Sequence, residues 1–136
     1  IKVKNELALA KALGLASYAK SVGKSKLLIR RLDGVDGSGL QSAASSLIDH
    51  LGKYSAVVFG GIPNQEIDNK LVFVAAFSPD LVSDGFHAGK FISGVAKMCG
   101  GGGGGRPNLA QAGGSQPQSL DLALEKANDD LTQQLS

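Results

Sequence analysis

Six consecutive glycines, Gly100 to Gly105, run into Arg106-Pro107, then Asn108-Leu109-Ala110-Gln111-Ala112, then Gly113-Gly114. Eight of these fifteen residues are glycine, so ordering this stretch costs more backbone entropy than ordering any other part of the chain. What such a run offers chemically is bare main chain. Without Cβ atoms the backbone can approach a ligand closely, and successive N–H groups form a concavity for anions. Arg106 adds a planar fork of donors suited to phosphate. Two better-known phosphate loops fail on spacing. A Walker loop needs Lys and Ser or Thr after its last glycine, where this chain has Arg106-Pro107, and a GxGxxG pattern is met trivially by polyglycine. A flexible linker is the plain alternative for a glycine run, but the continuation Arg106 to Gly114 has residues a linker does not need.

Taken together, Gly100, Gly101, Gly103, Gly104, Gly105, Arg106, Pro107, Ala110, Gln111, Gly113 and Gly114 resemble the signature of the DHH-associated domain at the C-terminal end of alanyl-tRNA synthetases, a domain also found in DHH-type phosphoesterases. Two positions depart from the pattern: many family members carry Lys where this chain has Gly102, and Asp where it has Asn108. The resemblance extends over residues 1 to 136. It implies a tRNA-binding domain that contacts the outer corner of tRNA(Ala) and supports aminoacylation and editing. It implies contacts from the Gly100–Gly105 backbone, Arg106 and Gln111, with Lys24, Lys26, Arg30 and Arg31 as a supporting basic patch and Lys90 as a further cation. Such contacts would go mainly to phosphate and 2′-OH, because folded RNA is read by shape. The parent enzyme of that family uses ATP, Mg and Zn; no cofactor is expected in this segment itself. Two alternatives remain: an oligomerisation module of the same synthetase with weak RNA binding, and the substrate-binding half of a DHH-type phosphoesterase. Arg106-Pro107 argues against the latter, since those enzymes tend to carry His just after their glycines.

The elements that must position these residues follow from periodicity. Residues 5 to 22 place Leu7, Ala10, Leu13 and Ala16 on one stripe, which predicts a helix. Residues 1–23 are therefore expected to form a helical connector that can pair with a second copy of the chain. Residues 24–136 are expected to form the globular unit, with a Gly-rich loop at 100–114. Strands are predicted over 26–32, 54–59 and 70–77, and a fourth can lie near Leu109 to Ala112. Leu40, Ala43, Ala44, Leu47, Ile48 and Leu51 make the cleanest amphipathic helix, with Asp36 or Ser38 as cap and Gly52 as stop. Ser78-Pro79-Asp80 reads as a helix start, a further helix runs from about His87 to Met98, and Leu120 to Leu135 reads as the last. The expectation is an α/β fold: a small mixed sheet of three to four strands, covered by helices and preceded by an N-terminal helix. Tyr54–Phe59 and Lys70–Phe77 are expected to pair antiparallel.

Composition narrows the function classes. The 136 residues carry a net charge of +2, but unevenly: +7 over residues 1–32, −2 over 33–106 and −3 over 107–136. A basic third opposite an acidic tail is the polarity expected of a chain that meets an anion. Only 5% of residues are aromatic, so base-stacking platforms are scarce. One cysteine, Cys99, excludes an internal disulfide and a Cys-based zinc site, which fits an intracellular, reducing compartment; the resemblance implies a cytoplasmic or organellar one, chloroplast or mitochondrion. No apolar run reaches ~18 residues, so no membrane partner is expected. Nucleophile–base, paired-acid and metal-ligand spacings are missing. Asp33 and Asp36 read as turn and cap residues, His50 as a residue at a helix end, and Cys99 as a small core residue. His87 reads as structural, with a phosphate contact beside Lys90 as the sharper alternative. The chain should bind rather than catalyse.

Overall fold

The computed structural model describes residue 14, residues 18–63 and residues 70–135. Most of the expected helix at 5–22 lies outside the described residues. Its C-terminal end is not helical: Lys20–Val22 forms a short strand, β1, because Gly23 turns the chain at φ +60° and pairs Lys20, Ser21 and Val22 with Leu27, Lys26 and Ser25 of β2 (Ser25–Arg31). Then come α1 (Gly37–Leu51), β3 (Ser55–Gly61) and β4 (Leu71–Phe77). Two helices follow, α2 (Pro79–Ser83) and α3 (Ala88–Lys97). The glycines themselves make β5 (Gly102–Gly105), which returns as β6 (Leu109–Gly114) before α4 (Leu120–Leu135).

The sheet therefore has six strands, in the order β1-β2-β3-β4-β6-β5, not three or four. It is mixed: β2 and β3 run parallel, joined through α1, and every other neighbouring pair is antiparallel, including the expected β3–β4 pair. The extra strands come from segments whose composition argues against strand. β5 has no side chain to bury and the lowest strand propensity available. It forms because its backbone pairs with β6, from Gly102 opposite Gly113 to Gly105 opposite Ala110.

Alternation along each strand divides the core into two layers. Val57, Phe59, Val74 and Ala76 face α1, which buries Leu40, Ala43, Ala44 and Leu47 against them. Ala56, Val58, Phe73, Ala75, Ala110 and Ala112 face α3 and α4, which contribute Ile92, Val95, Ala123 and Leu131. Asp36 caps α1 by accepting from the Gly39 N–H at 2.8 Å, and Gly52 ends it at φ +88°. Ser78 precedes α2 without capping it; its hydroxyl instead accepts from the Ser55 N–H at 3.0 Å, tying β3 to the end of β4.

Candidate functional site

The glycine strand is held at both ends. At its start, α3 closes on Gly100 at φ +70°, with the Gly101 N–H reaching the Ala96 carbonyl at 3.0 Å, a helix stop of the Schellman kind. The Cys99 carbonyl accepts from Ser115 and Gln116 at 2.9 and 3.1 Å. At the far end, the Arg106 N–H meets the Leu109 carbonyl at 3.1 Å and closes a tight hairpin over Pro107-Asn108. Both loop carbonyls are used: Pro107 accepts from Ala88 at 2.8 Å and Asn108 from Phe77 at 3.0 Å. Arg106 is thus an exposed side chain on a fixed tip, and among the described residues no carboxylate pairs with it.

Within the strand the glycines are not equivalent. A Cβ on Gly103 would stand 2.5 Å from Ala112 Cα, and one on Gly105 2.9 Å from Ala110 Cα; one on Gly101 would overlap the Gly113 carbonyl. These three are required by the close approach of β6. Gly102 has open space instead, and Gly104 meets only the Gly89 carbonyl at 3.9 Å. Both oppose β6 residues of the α1 side of the sheet, Gly113 and Gln111. Beyond α1 that side ends in exposed main chain, and β5 is an edge strand whose outward amides meet no further strand. Helix α3 presses on β5 from the other side through Gly89, where a Cβ would lie 2.6 Å from the Gly105 carbonyl.

Gln111 stands on β6 next to this bare strip. Gln41 of α1 donates its side-chain N–H to Gln111 Oε1, which leaves the Gln111 amide N–H as a donor. A side chain at Gly37 would occupy the place of the Gln111 amide and push it aside. The sequence pointed to Gln111 and, through the resemblance, to Gly102 as a place where many family members carry Lys; it did not single out Gln41 or Gly37. The alternation that leaves Gly102 open appears only when the glycines are read as a strand with period two.

The other sequence candidates lie elsewhere. Lys24, Lys26, Arg30 and Arg31 belong to β2 and the turn before it, and β2 and β5 are separated by β3, β4 and β6. Four strand spacings put them roughly 19 Å apart. They do not form one patch with the glycines, because the chain order that brings β2 against β3 leaves β5 on the opposite edge. Three of them are also engaged. Arg31 donates to Asp33 at 3.1 Å and to Asp121 at 3.2 Å, and its guanidinium is held above its ordinary range, first by the bond to Asp33. Lys24 lies 4.2 Å over the Tyr54 ring and 3.9 Å from Asp84. Arg30 stacks 4.7 Å over Tyr18, and Lys26 is exposed. Lys90 sits in the first turn of α3, on the sheet face opposite α1. His87 caps that helix, its Nδ1 accepting from the Lys90 N–H at 3.2 Å, which is the structural role expected of it. Asp33 is a turn residue, accepting from the Ile62 N–H at 2.9 Å. Cys99 is buried, and burial pushes its thiol up. Among the described residues no group of three or more His, Cys, Asp or Glu could hold a metal, and no helix is long and apolar enough to cross a membrane.

The chain as a whole is similar to known proteins. The DHHA1 domain family matches residues 24–133. All of the chain aligns at 96% identity with the alanine–tRNA ligase of Prochlorococcus marinus (strain NATL1A), of whose length it spans 15%. Among solved structures, the C-Ala domain from Aquifex aeolicus alanyl-tRNA synthetase superposes with a TM-score of 0.71 at 30% identity, over 87% of this chain and 97% of that one. RecJ from Thermus thermophilus shares the fold alone, with a TM-score of 0.63 at 11% identity over 99% of this chain and 18% of RecJ.

Proposed function

This chain belongs to the DHHA1 domain family and is of the C-Ala type found in alanyl-tRNA synthetase, and we propose that it is the tRNA-contacting domain of an alanine–tRNA ligase. The observation that carries this reading is the edge strand Gly102–Gly105: main chain without side chains, rigidly held, with Arg106 at its tip and the Gln111 amide beside it. Such a surface suits ribose and phosphate. Backbone N–H groups donate to phosphate oxygens and 2′-hydroxyls, backbone carbonyls accept from the latter, and Arg106 supplies the charge. The RNA would be tRNA(Ala), held at its outer corner. The ATP, Mg and Zn chemistry of the longer enzyme would lie in its other domains. Lys26 and Arg30, on β2 toward the other end of the sheet, would touch a different segment of the same RNA. Self-association through residues 1–23 is the competing use of the chain.

Binding of tRNA(Ala) at two salt concentrations tests the reading. Wild type should bind with a salt-dependent affinity. Arg106→Ala should weaken binding and make the slope of log K against log salt shallower by about 1. A wild-type chain that fails to bind tRNA yet sediments as a dimer would replace this reading with the assembly one.

A further inference from the structure

Of the four phenylalanines on the sheet face opposite α1, Phe77, Phe86 and Phe91 gather in one cluster. Phe77, buried at the end of β4, meets Phe86 edge-on with centroids 5.7 Å apart at 74°, and Phe91 at 6.0 Å and 55°. Phe86 and Phe91 are only half-buried, so part of each ring faces a cleft of about 570 Å³ between the α2–α3 connection and the C-terminal turn of α4. That volume is in the range of small-ligand sites, roughly 300–1,000 Å³.

The polar groups around the aromatic wall are of three kinds. His87 and Lys90 come from the start of α3. His87 Nδ1 is occupied as an acceptor, so neutral His87 carries its proton on Nε2 and presents a donor. Lys90 is exposed, and among the described residues no carboxylate pairs with it. Asp84 is an acceptor; among the described residues its side chain is held by a 3.9 Å exposed ion pair to Lys24, which is weak. Gln134 can donate and accept. An acyl chain would leave all four without partners. A nucleotide uses each of them: a base stacks on aromatic carbon, its amino and ring nitrogen edge needs an acceptor and an amide, and its phosphate needs cationic donors.

We propose that this cleft is a nucleotide subsite, with the base against Phe86 and Phe91, its edge read by Asp84 and Gln134, and its phosphate held by Lys90 and His87. The same chemistry is presented by a free nucleotide and by an unpaired nucleotide of a bound RNA. The RNA source rests on the function proposed above and is within reach of it, since Ala88 at the start of α3 is bonded to Pro107 of the hairpin tip. The free-nucleotide source does not depend on that reading.

The test is an amide chemical-shift titration of the 136-residue chain with AMP and with adenosine. AMP should give saturable shifts at Gly85 to Phe91, and adenosine weaker ones. Lys90→Ala should weaken AMP about fivefold, as for loss of one exposed charged contact, and leave adenosine unchanged. Gln134→Ala should weaken both. Both side chains are exposed, so neither variant threatens folding. Absence of saturable shifts at Gly85 to Phe91, or an AMP affinity indifferent to Lys90→Ala, overturns the proposal. Adding tRNA(Ala) then separates the sources: displacement of AMP assigns the cleft to an RNA nucleotide, and retention of AMP on the tRNA-bound chain assigns it to a free one. AMP binding in a chain that does not bind tRNA would sink the RNA-binding function while leaving the subsite standing.

Discussion

Gly102 and Gly103 are neighbours of one residue type with opposite tolerance. Any side chain at Gly103 drives into the Ala112 backbone, while Gly102 opens onto empty space at an ordinary backbone angle. Gly103→Ala should therefore destabilise by about 1–3 kcal/mol, as overpacking does, and Gly102→Lys should stay within about 0.5 kcal/mol of wild type; urea unfolding midpoints measure both. Periodicity could not separate these two, because a run of six identical residues carries no period; only the resemblance, in which many family members carry Lys at Gly102, set that position apart. The sequence did point to Arg106 and Gln111 as candidates, since their side chains have chemistry of their own. Cys99 gives a pH prediction at the same scale. Burial pushes its thiol up, so the folded chain keeps the proton to higher pH than the unfolded chain. The stability this contributes is complete below the unfolded thiol value of about 8.5 and is lost as pH rises through the folded value. Cys99→Ala should lack that decline when unfolding is followed from pH 7 to 10.

Helix α3 shows how an element, rather than a residue, sets a mutation's sign. Gly89 and Gly94 both lie inside it. Glycine to alanine in a helix normally stabilises by about 0.5–1 kcal/mol. Gly94 has no neighbour within 4 Å of an added Cβ, so Gly94→Ala should gain about that much. Gly89 is the point where α3 rests on β5, and an added Cβ would stand 2.6 and 2.8 Å from Gly105 backbone atoms. Gly89→Ala should lose stability, by about 1–3 kcal/mol, seen as opposite shifts in thermal midpoint for the two variants. The elements legible in the sequence are those whose side chains state their environment: α1 by its apolar spacing, β3 and β4 by continuous apolar runs, α4 by its leucines. β1 and β5 were not legible. Lys20-Ser21-Val22 looks like the end of a helix until Gly23 reverses the chain, and Gly102–Gly105 has no side chain with which to declare a strand.

Across the whole molecule, strand order decides which charges can act together. The basic character of residues 1–32 was plain in the sequence, and so was the glycine signature, but their relative placement was not. Parallel pairing of β2 with β3 through α1 places the basic strand beside only the short β1 at one end of the sheet, and the β5–β6 hairpin added beyond β4 makes the glycines the opposite edge. Of the cations proposed to support the glycine contact, only Arg106 stands on that hairpin. The function proposed for the domain therefore rests on bare backbone plus a single arginine, and on the absence of a side chain at Gly102 on its open side.

That dependence can be tested by a gain rather than a loss, which misfolding cannot imitate. The measurement is the affinity of Gly102→Lys for tRNA(Ala) across a series of salt concentrations, compared with wild type. If the glycine edge lies against RNA phosphate, the added ammonium should tighten binding at low salt and steepen the slope of log K against log salt by about 1. An affinity and a slope identical to those of wild type, in a chain that folds normally and binds tRNA, would contradict the account, because the RNA would then be held on some other surface.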